Sequence, residues 1–145
     1  MKYLVLALGT LAAICHPPEI AAAERWVAVT QTDKVSVYTD TQSLTVKDGI
    51  VHVWEKWEYV ADRPGIAATG HRPYRSVRFF TYYNCVERAS AEMQSVYYDA
   101  SGEVVGKVTE DPRYAPLTYV VPGLVSESTL NFVCKPRAPK TKKRS

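Results

Sequence analysis

Cys85 and Cys134 constrain this chain more than any other pair of residues, because a bond between them would close a loop of about 50 residues. Whether they can pair depends on the compartment, and the N-terminus bears on that. Lys2 is followed by an almost unbroken apolar run from Tyr3 to Cys15, then by Ala21-Ala22-Ala23. This order of charge, apolar run and small residues is that of a secretory signal, with Ala21 and Ala23 in the positions that signal peptidase reads. The run is shorter than the roughly 20 residues that a membrane-spanning helix needs. Cleavage is expected between Ala23 and Glu24. Cys15 has a second reading as the acceptor of a lipoprotein anchor, but such a cysteine normally follows a small residue and here it follows Ile14. With Cys15 discarded, two cysteines remain in an oxidising compartment and are expected to pair. Treated as a loss of chain entropy, that bond contributes about 4 kcal/mol.

The three segments that follow from this are a signal over 1–23, a single folded domain over 24–134 and a tail over 135–145. No repeat or second domain is visible. The tail holds Lys135, Arg137, Lys140, Lys142, Lys143 and Arg144, six of the chain's 18 basic residues. Once Lys2 and Glu19 leave with the signal, the body holds 11 basic and 14 acidic residues, so the net +3 conceals an acidic globule with a basic end. Pro136, Pro139 and the lack of apolar periodicity predict a disordered tail. It suits salt-sensitive contact with anionic lipid headgroups, polyanionic glycans, cell wall or another envelope polyanion, or an acidic protein partner, or simple solvation. An acidic body without a nucleic-acid-binding motif argues against nucleic acid as a partner.

Strand patterns fill the body. Arg25–Thr32, Val35–Tyr38 and Leu44–Val46 are followed by Lys47-Asp48-Gly49 and the long run Ile50–Val60. Asp-Gly between apolar runs is a tight-hairpin signal, since such turns require positive φ. Residues 61–73 carry two Pro and two Gly and are expected as an exposed loop. Ser76–Cys85, Arg88–Tyr98, Glu103–Thr109 and Thr118–Val121 continue the strand pattern. Ser126 and Ser128 are candidate N-caps for a helix over Ser126–Lys135, with Leu130, Val133 and Cys134 at helical spacing. The fold expected is α+β: an antiparallel β-sheet of about six strands packed with a short C-terminal helix.

Alternation sorts the two faces of that sheet. Odd positions (Val51, Val53, Glu55, Trp57 and Tyr59; Val77, Phe79, Thr81, Tyr83 and Cys85; Ala89, Ala91, Met93, Ser95 and Tyr97) are mostly apolar and are assigned to the core. Even positions mix aromatic and basic side chains, among them His52, Trp54, Lys56, Arg78, Phe80 and Tyr82. Trp54, Arg78, Phe80 and Tyr82 on the sheet, with Lys140, Lys142, Lys143 and Arg144 on the tail, form the candidate binding surface. The plainer reading is that a loop or a second subunit covers the sheet residues, or that they stand singly in solvent.

Catalytic chemistry finds no foothold. Two histidines remain, His52 and His71, without metal-ligand spacing. There is no nucleophile elbow and no phosphate-binding glycine loop. Glu55 and Glu58, three apart on a strand, point to opposite faces and cannot act as an acid–base pair. Glu110-Asp111 beside Pro112 suits a solvated turn. Arg72, Arg75 and Arg78 either gather around an anion or stand apart in solvent. Neither a cofactor nor a metal is implied, and no catalytic residue is assigned.

Several elements occur in an order that resembles the surface-adhesin protein E family of exported Gram-negative proteins. They are Trp26, Val37-Tyr38-Thr39-Asp40 with Ser43-Leu44, Gly49, Val53-Trp54 and Asn84-Cys85. Further on come Tyr97-Tyr98 with Gly102-Glu103-Val104-Val105, then Pro122-Gly123 with Glu127, Leu130 and Val133-Cys134. The resemblance spans nearly all of the mature body. It implies an antiparallel sheet with a C-terminal helix tied by Cys85–Cys134, a capacity to self-associate as a homodimer and, for the adhesin itself, binding of host matrix and serum proteins. Leu124 and Tyr119 depart from the pattern, and the basic tail lies outside it. Adhesive residues do not transfer by motif, so none is carried over.

The sequence thus leaves an exported binding module, a periplasmic accessory protein contacting the envelope through its tail, or a small enzyme or enzyme inhibitor, located in the periplasm or at the cell surface or secreted. Intact-mass measurement of the exported protein is expected to show Glu24 as the first residue and two fewer hydrogens than the reduced chain. A diacylated Cys15 at the N-terminus would overturn this assignment.

Overall fold

The Asp48-Gly49 turn organises the first half of the molecule. Both residues have positive φ, 52° and 79°, and Lys47 sits opposite Ile50, the two-residue hairpin that suits the twist of its flanking strands. It joins β3 (Thr45–Lys47) to β4 (Ile50–Arg63). The structure, a computed structural model, describes residues 25–135. The signal with its Ala23–Glu24 junction and the tail residues Lys140, Lys142, Lys143 and Arg144 lie outside the described residues.

The remaining elements are β1 (Trp26–Gln31), β2 (Val35–Asp40), β5 (Tyr74–Asn84), β6 (Ala89–Tyr98), β7 (Val104–Thr109), β8 (Thr118–Tyr119) and α1 (Val125–Val133). Six strands form one antiparallel path in the order β1-β2-β4-β5-β6-β7, as expected. Two short strands hang from it, β3 on β4 and β8 on β6. The loop expected over 61–73 is shorter, because β4 continues to Arg63, and it carries one 3₁₀ turn at Ala67–Thr69. That loop packs onto β7: a Cβ at Gly106 would stand 2.2 Å from the Ala68 carbonyl oxygen. Only glycine fits such an approach.

The helix begins earlier than its serines suggested. Leu124 occupies the N-cap and supplies no side-chain bond, so Ser126 and Ser128 lie inside the helix. Glu127 acts instead, accepting from the Gly123 N–H at 2.8 Å and pairing with Arg88 at 2.7 Å. At the other end, Cys134 is the C-cap and is bonded to Cys85, the residue after β5, with Cα atoms 5.6 Å apart. Leu130 and Val133 drop onto Val51, Val53, Tyr83 and Val120, with Leu44, Cys85, Phe132 and Cys134 around them. Each fully buried aliphatic side chain contributes about 1.5–3 kcal/mol, so the disulfide adds to an apolar core and does not replace it.

Odd positions of β4 and β5 face this helix side as expected. The assignment of Ala89 and Ala91 to the same face needs correction. β6 has a bulge: Phe80 pairs with Gln94 but Thr81 pairs with Glu92, so Met93 is the extra residue. One extra residue reverses parity. Below Met93, Ser90 and Glu92 share the helix face with Tyr83 and Thr81, while Ala89 and Ala91 lie opposite Asn84 and Tyr82. Both alanines are nonetheless buried.

One carboxyl sits inside the core. Glu55 is 2% exposed, accepts from the Tyr83 hydroxyl at 2.5 Å and from the Trp57 indole N–H at 3.2 Å. Thr39 lies directly opposite it on β2. The buried hydroxyls of Thr39 and Thr129 meet no partner with hydrogen-bond geometry. Burial pushes the Glu55 carboxyl above the usual range, and the Tyr83 and Trp57 bonds offset only part of this. Burial, then the Glu55 charge, holds the Tyr83 phenol well above its own ordinary value, so Tyr83 remains the donor. A carboxyl whose folded pKa is raised stabilises most fully below its unfolded pKa of about 4.3, and that contribution is lost as pH rises through the folded value. Glu55→Gln is therefore expected to stabilise the protein at pH 7 relative to pH 4 when each is compared with wild type in urea unfolding. A wild-type-minus-variant difference that is flat with pH, or that changes in the opposite sense, would contradict this.

Candidate functional site

The face opposite the helix carries the candidate site. Strand pairing lays its residues out in rows. Tyr38 on β2, Lys56 on β4, Arg78 on β5, Val96 on β6 and Lys107 on β7 form one row. Trp54, Phe80, Gln94 and Thr109 form the next, and Thr45, His52 and Tyr82 a third. Successive rows lie about 7 Å apart, two residues along a strand.

Trp54, Phe80 and Tyr82 therefore do come together. The Trp54 and Phe80 ring centres are 5.2 Å apart, Phe80 and Tyr82 meet edge to face at 5.5 Å, and His52 stacks on Tyr82 at 3.9 Å. All four are half-buried. Burial, then the nearby Lys47 charge, lowers the His52 pKa, which keeps this imidazole neutral beside the aromatic rings at neutral pH.

Arg78 belongs to a second cluster that sequence spacing did not reveal. Its guanidinium lies over the Trp26 ring at 5.8 Å and over the Tyr98 ring at 5.0 Å. Lys56 also lies over Trp26, at 5.5 Å, and over Tyr38, at 4.4 Å. Trp26 belongs to β1, and two strands separate β1 from β5, so the indole and the guanidinium must reach toward each other along the sheet face. Lys56 is ion-paired with Glu58 at 2.8 Å, and Arg25 with the buried Asp40 at 2.8 Å. Among the described residues, Lys47, Arg78 and Lys107 are cations of this face that make no ion pair.

The three neighbouring arginines do not gather. Arg72 reaches Asp99 at 3.5 Å, Arg75 pairs with Asp62 at 2.7 Å, and Arg78 stands alone on the aromatic rings. The Glu110-Asp111 segment is a turn in which Asp111 holds Arg113 at 2.6 Å, and that partner lowers the Asp111 pKa. Glu55 and Glu58 point to opposite faces, the first into the core and the second to Lys56.

A groove of about 640 Å³ lies on the helix side, where Ser90, Glu92 and Tyr97 face Val120, Leu124 and Ser126. Glu92 reaches solvent at the groove's edge, and partial desolvation, then the Glu55 charge, raises its carboxyl. No histidine lines the groove, so its serines have no imidazole to activate them. Among the described residues, no group of three or more His, Cys, Asp or Glu side chains is placed to hold a metal ion, and no helix is long and apolar enough to cross a membrane.

The topology has known counterparts. A structure of Haemophilus influenzae protein E superposes with a TM-score of 0.53 at 16% identity, over 82% of this chain and 90% of that one. A second crystal form of the same protein gives 0.51 at 18% identity, over 84% and 96%. The protein E of non-typeable Haemophilus influenzae gives 0.51 at 18%, over 82% and 81%. At these identities the likeness establishes the fold. No curated protein matches the chain in sequence. The profile of the family described as Surface-adhesin protein E, however, matches residues 26–135, from the indole over Arg78 to the residue after the disulfide. With that match over most of its length, the chain belongs to the surface-adhesin protein E family.

Proposed function

We propose that the mature protein is an exported, non-enzymatic binding module of the adhesin type, which engages a host-matrix or envelope component through the outer face of its sheet. The observation that carries this reading is the division of labour between the faces. The inner one is occupied by the helix and its core, whereas the outer one presents half-buried aromatics beside unpaired cations. Aromatic and arginine side chains are those that concentrate binding energy at interfaces. Family membership supports the same reading. Self-association through this face would use the same side chains and is part of the proposal.

The charge asymmetry favours a second reading, an accessory envelope protein held at anionic surfaces by the tail from Lys135 to Ser145. The two differ in which residues they need. Under the first, the purified mature protein binds immobilised extracellular-matrix protein saturably at physiological salt. Trp54→Ala with Phe80→Ala then weakens binding about thirtyfold, the effect of losing one interface hot spot, while circular dichroism stays native. Under the second, deletion of 135–145 releases the protein from envelope fractions and the double variant does not. Absence of saturable matrix binding, together with tail-dependent fractionation, would sink the first reading.

A further inference from the structure

Arg78 is an unusual cation for a protein surface. It is exposed, it lies between two aromatic rings, and no carboxylate neutralises it. A guanidinium held over ring faces is fixed in orientation yet keeps its in-plane N–H donors for an anion, which a hydrated ammonium cannot match. Charged groups of this kind give planar, often bidentate recognition of carboxylate or sulfate. Lys107 continues the row two strands away, across Val96, at about 10 Å given the strand spacing. Parallel to these cations, and about 7 Å off, run Trp54, Phe80, Gln94 and Thr109.

A row of fixed positive charge beside a row of aromatic faces and polar tips fits one polymer chemistry closely. A pyranose ring has an apolar face of C–H groups and an edge bearing hydroxyl, carboxylate or sulfate. We infer that the outer face reads a linear anionic polysaccharide running across the strands. Its charged edge lies on Arg78 and Lys107, its sugar faces lie on Trp54 and Phe80, and Gln94 and Thr109 are within the same track for hydroxyls. The cation separation of two strands is comparable with a disaccharide repeat. An acidic peptide fits less well. Peptides usually add affinity through backbone hydrogen bonds at a sheet edge, and β4 and β5 at the centre of this face are paired on both sides. Trp26 and Tyr98 serve as positioning residues that hold the guanidinium.

The inference deepens the proposed function and rests on the outer face being its recognition surface. The test uses the full mature chain in calorimetric titration with a heparin-derived sulfated hexasaccharide, and with a neutral glucose hexasaccharide as control. The sulfated probe is expected to bind and the neutral one not. Arg78→Gln and Lys107→Gln should each weaken binding about tenfold, and together reduce the salt dependence by about two counterions. Arg78→Lys, which keeps charge but loses the guanidinium's fork of N–H donors, should not restore full affinity. Trp54→Ala should weaken binding with the salt slope unchanged. A chain with Lys140→Gln, Lys142→Gln, Lys143→Gln and Arg144→Gln must retain the sensitivity to Arg78→Gln. The inference is overturned if the tail substitutions abolish hexasaccharide binding while Arg78→Gln does nothing, or if Arg78 and Arg78→Lys chains bind alike. Should deglycosylated matrix protein bind in a Trp54-dependent way while the hexasaccharide does not, the polysaccharide is excluded and the outer face as a recognition surface survives.

Discussion

The bond between Cys85 and Cys134 fixes which face of the sheet is structural. The helix that ends at Cys134 has nine residues and no side-chain N-cap, and isolated helices of that length are marginal in water. Its stability comes from Leu130 and Val133 against the sheet and from a covalent tether at its last turn. Because Cys85 closes β5 on the side that Tyr83 also faces, the tether holds the helix over the inner face alone. The outer face is left to half-buried aromatic side chains and to basic ones.

Glu55 shows that the inner face is more than an apolar seal. A carboxyl this deeply buried is costly unless its oxygens are bonded, and Tyr83 and Trp57 supply donors from a neighbouring strand and from its own. Those bonds favour the register in which Glu55 faces Phe79, with Tyr83 on the same side of β5. A one-residue slip would turn Tyr83 away and send the aromatic row inward. The buried carboxyl is thereby linked to the layout of the outer face.

Much of this was legible in the residues because local rules carried it. Asp48-Gly49 dictates its turn, alternation along β4 and β5 assigns their faces, and two cysteines in an exported chain point to each other. What escaped depended on geometry that no local pattern encodes. The bulge at Met93 changes parity without a glycine or proline to mark it. Leu124 replaces a serine cap because Glu127 satisfies the turn from inside the helix. The Trp26–Arg78–Tyr98 cluster joins residues from three strands, so spacing could not reveal it, and it separates Arg78 from Arg72 and Arg75. The likeness to protein E gives the same scaffold without transferring any contact residue, as expected when one fold serves several partners.

The helix and its core occupy one face of the sheet, and recognition is proposed for the other. Side-chain oxidative footprinting of the mature protein, free and bound to solubilised extracellular-matrix protein, tests it most directly. Protection of Trp54, Phe80, Tyr82 and Trp26, with Tyr119, Leu124 and Phe132 on the helix side unchanged, is the predicted result. Protection confined to the helix side, with the outer aromatics as reactive as in the free protein, would contradict it.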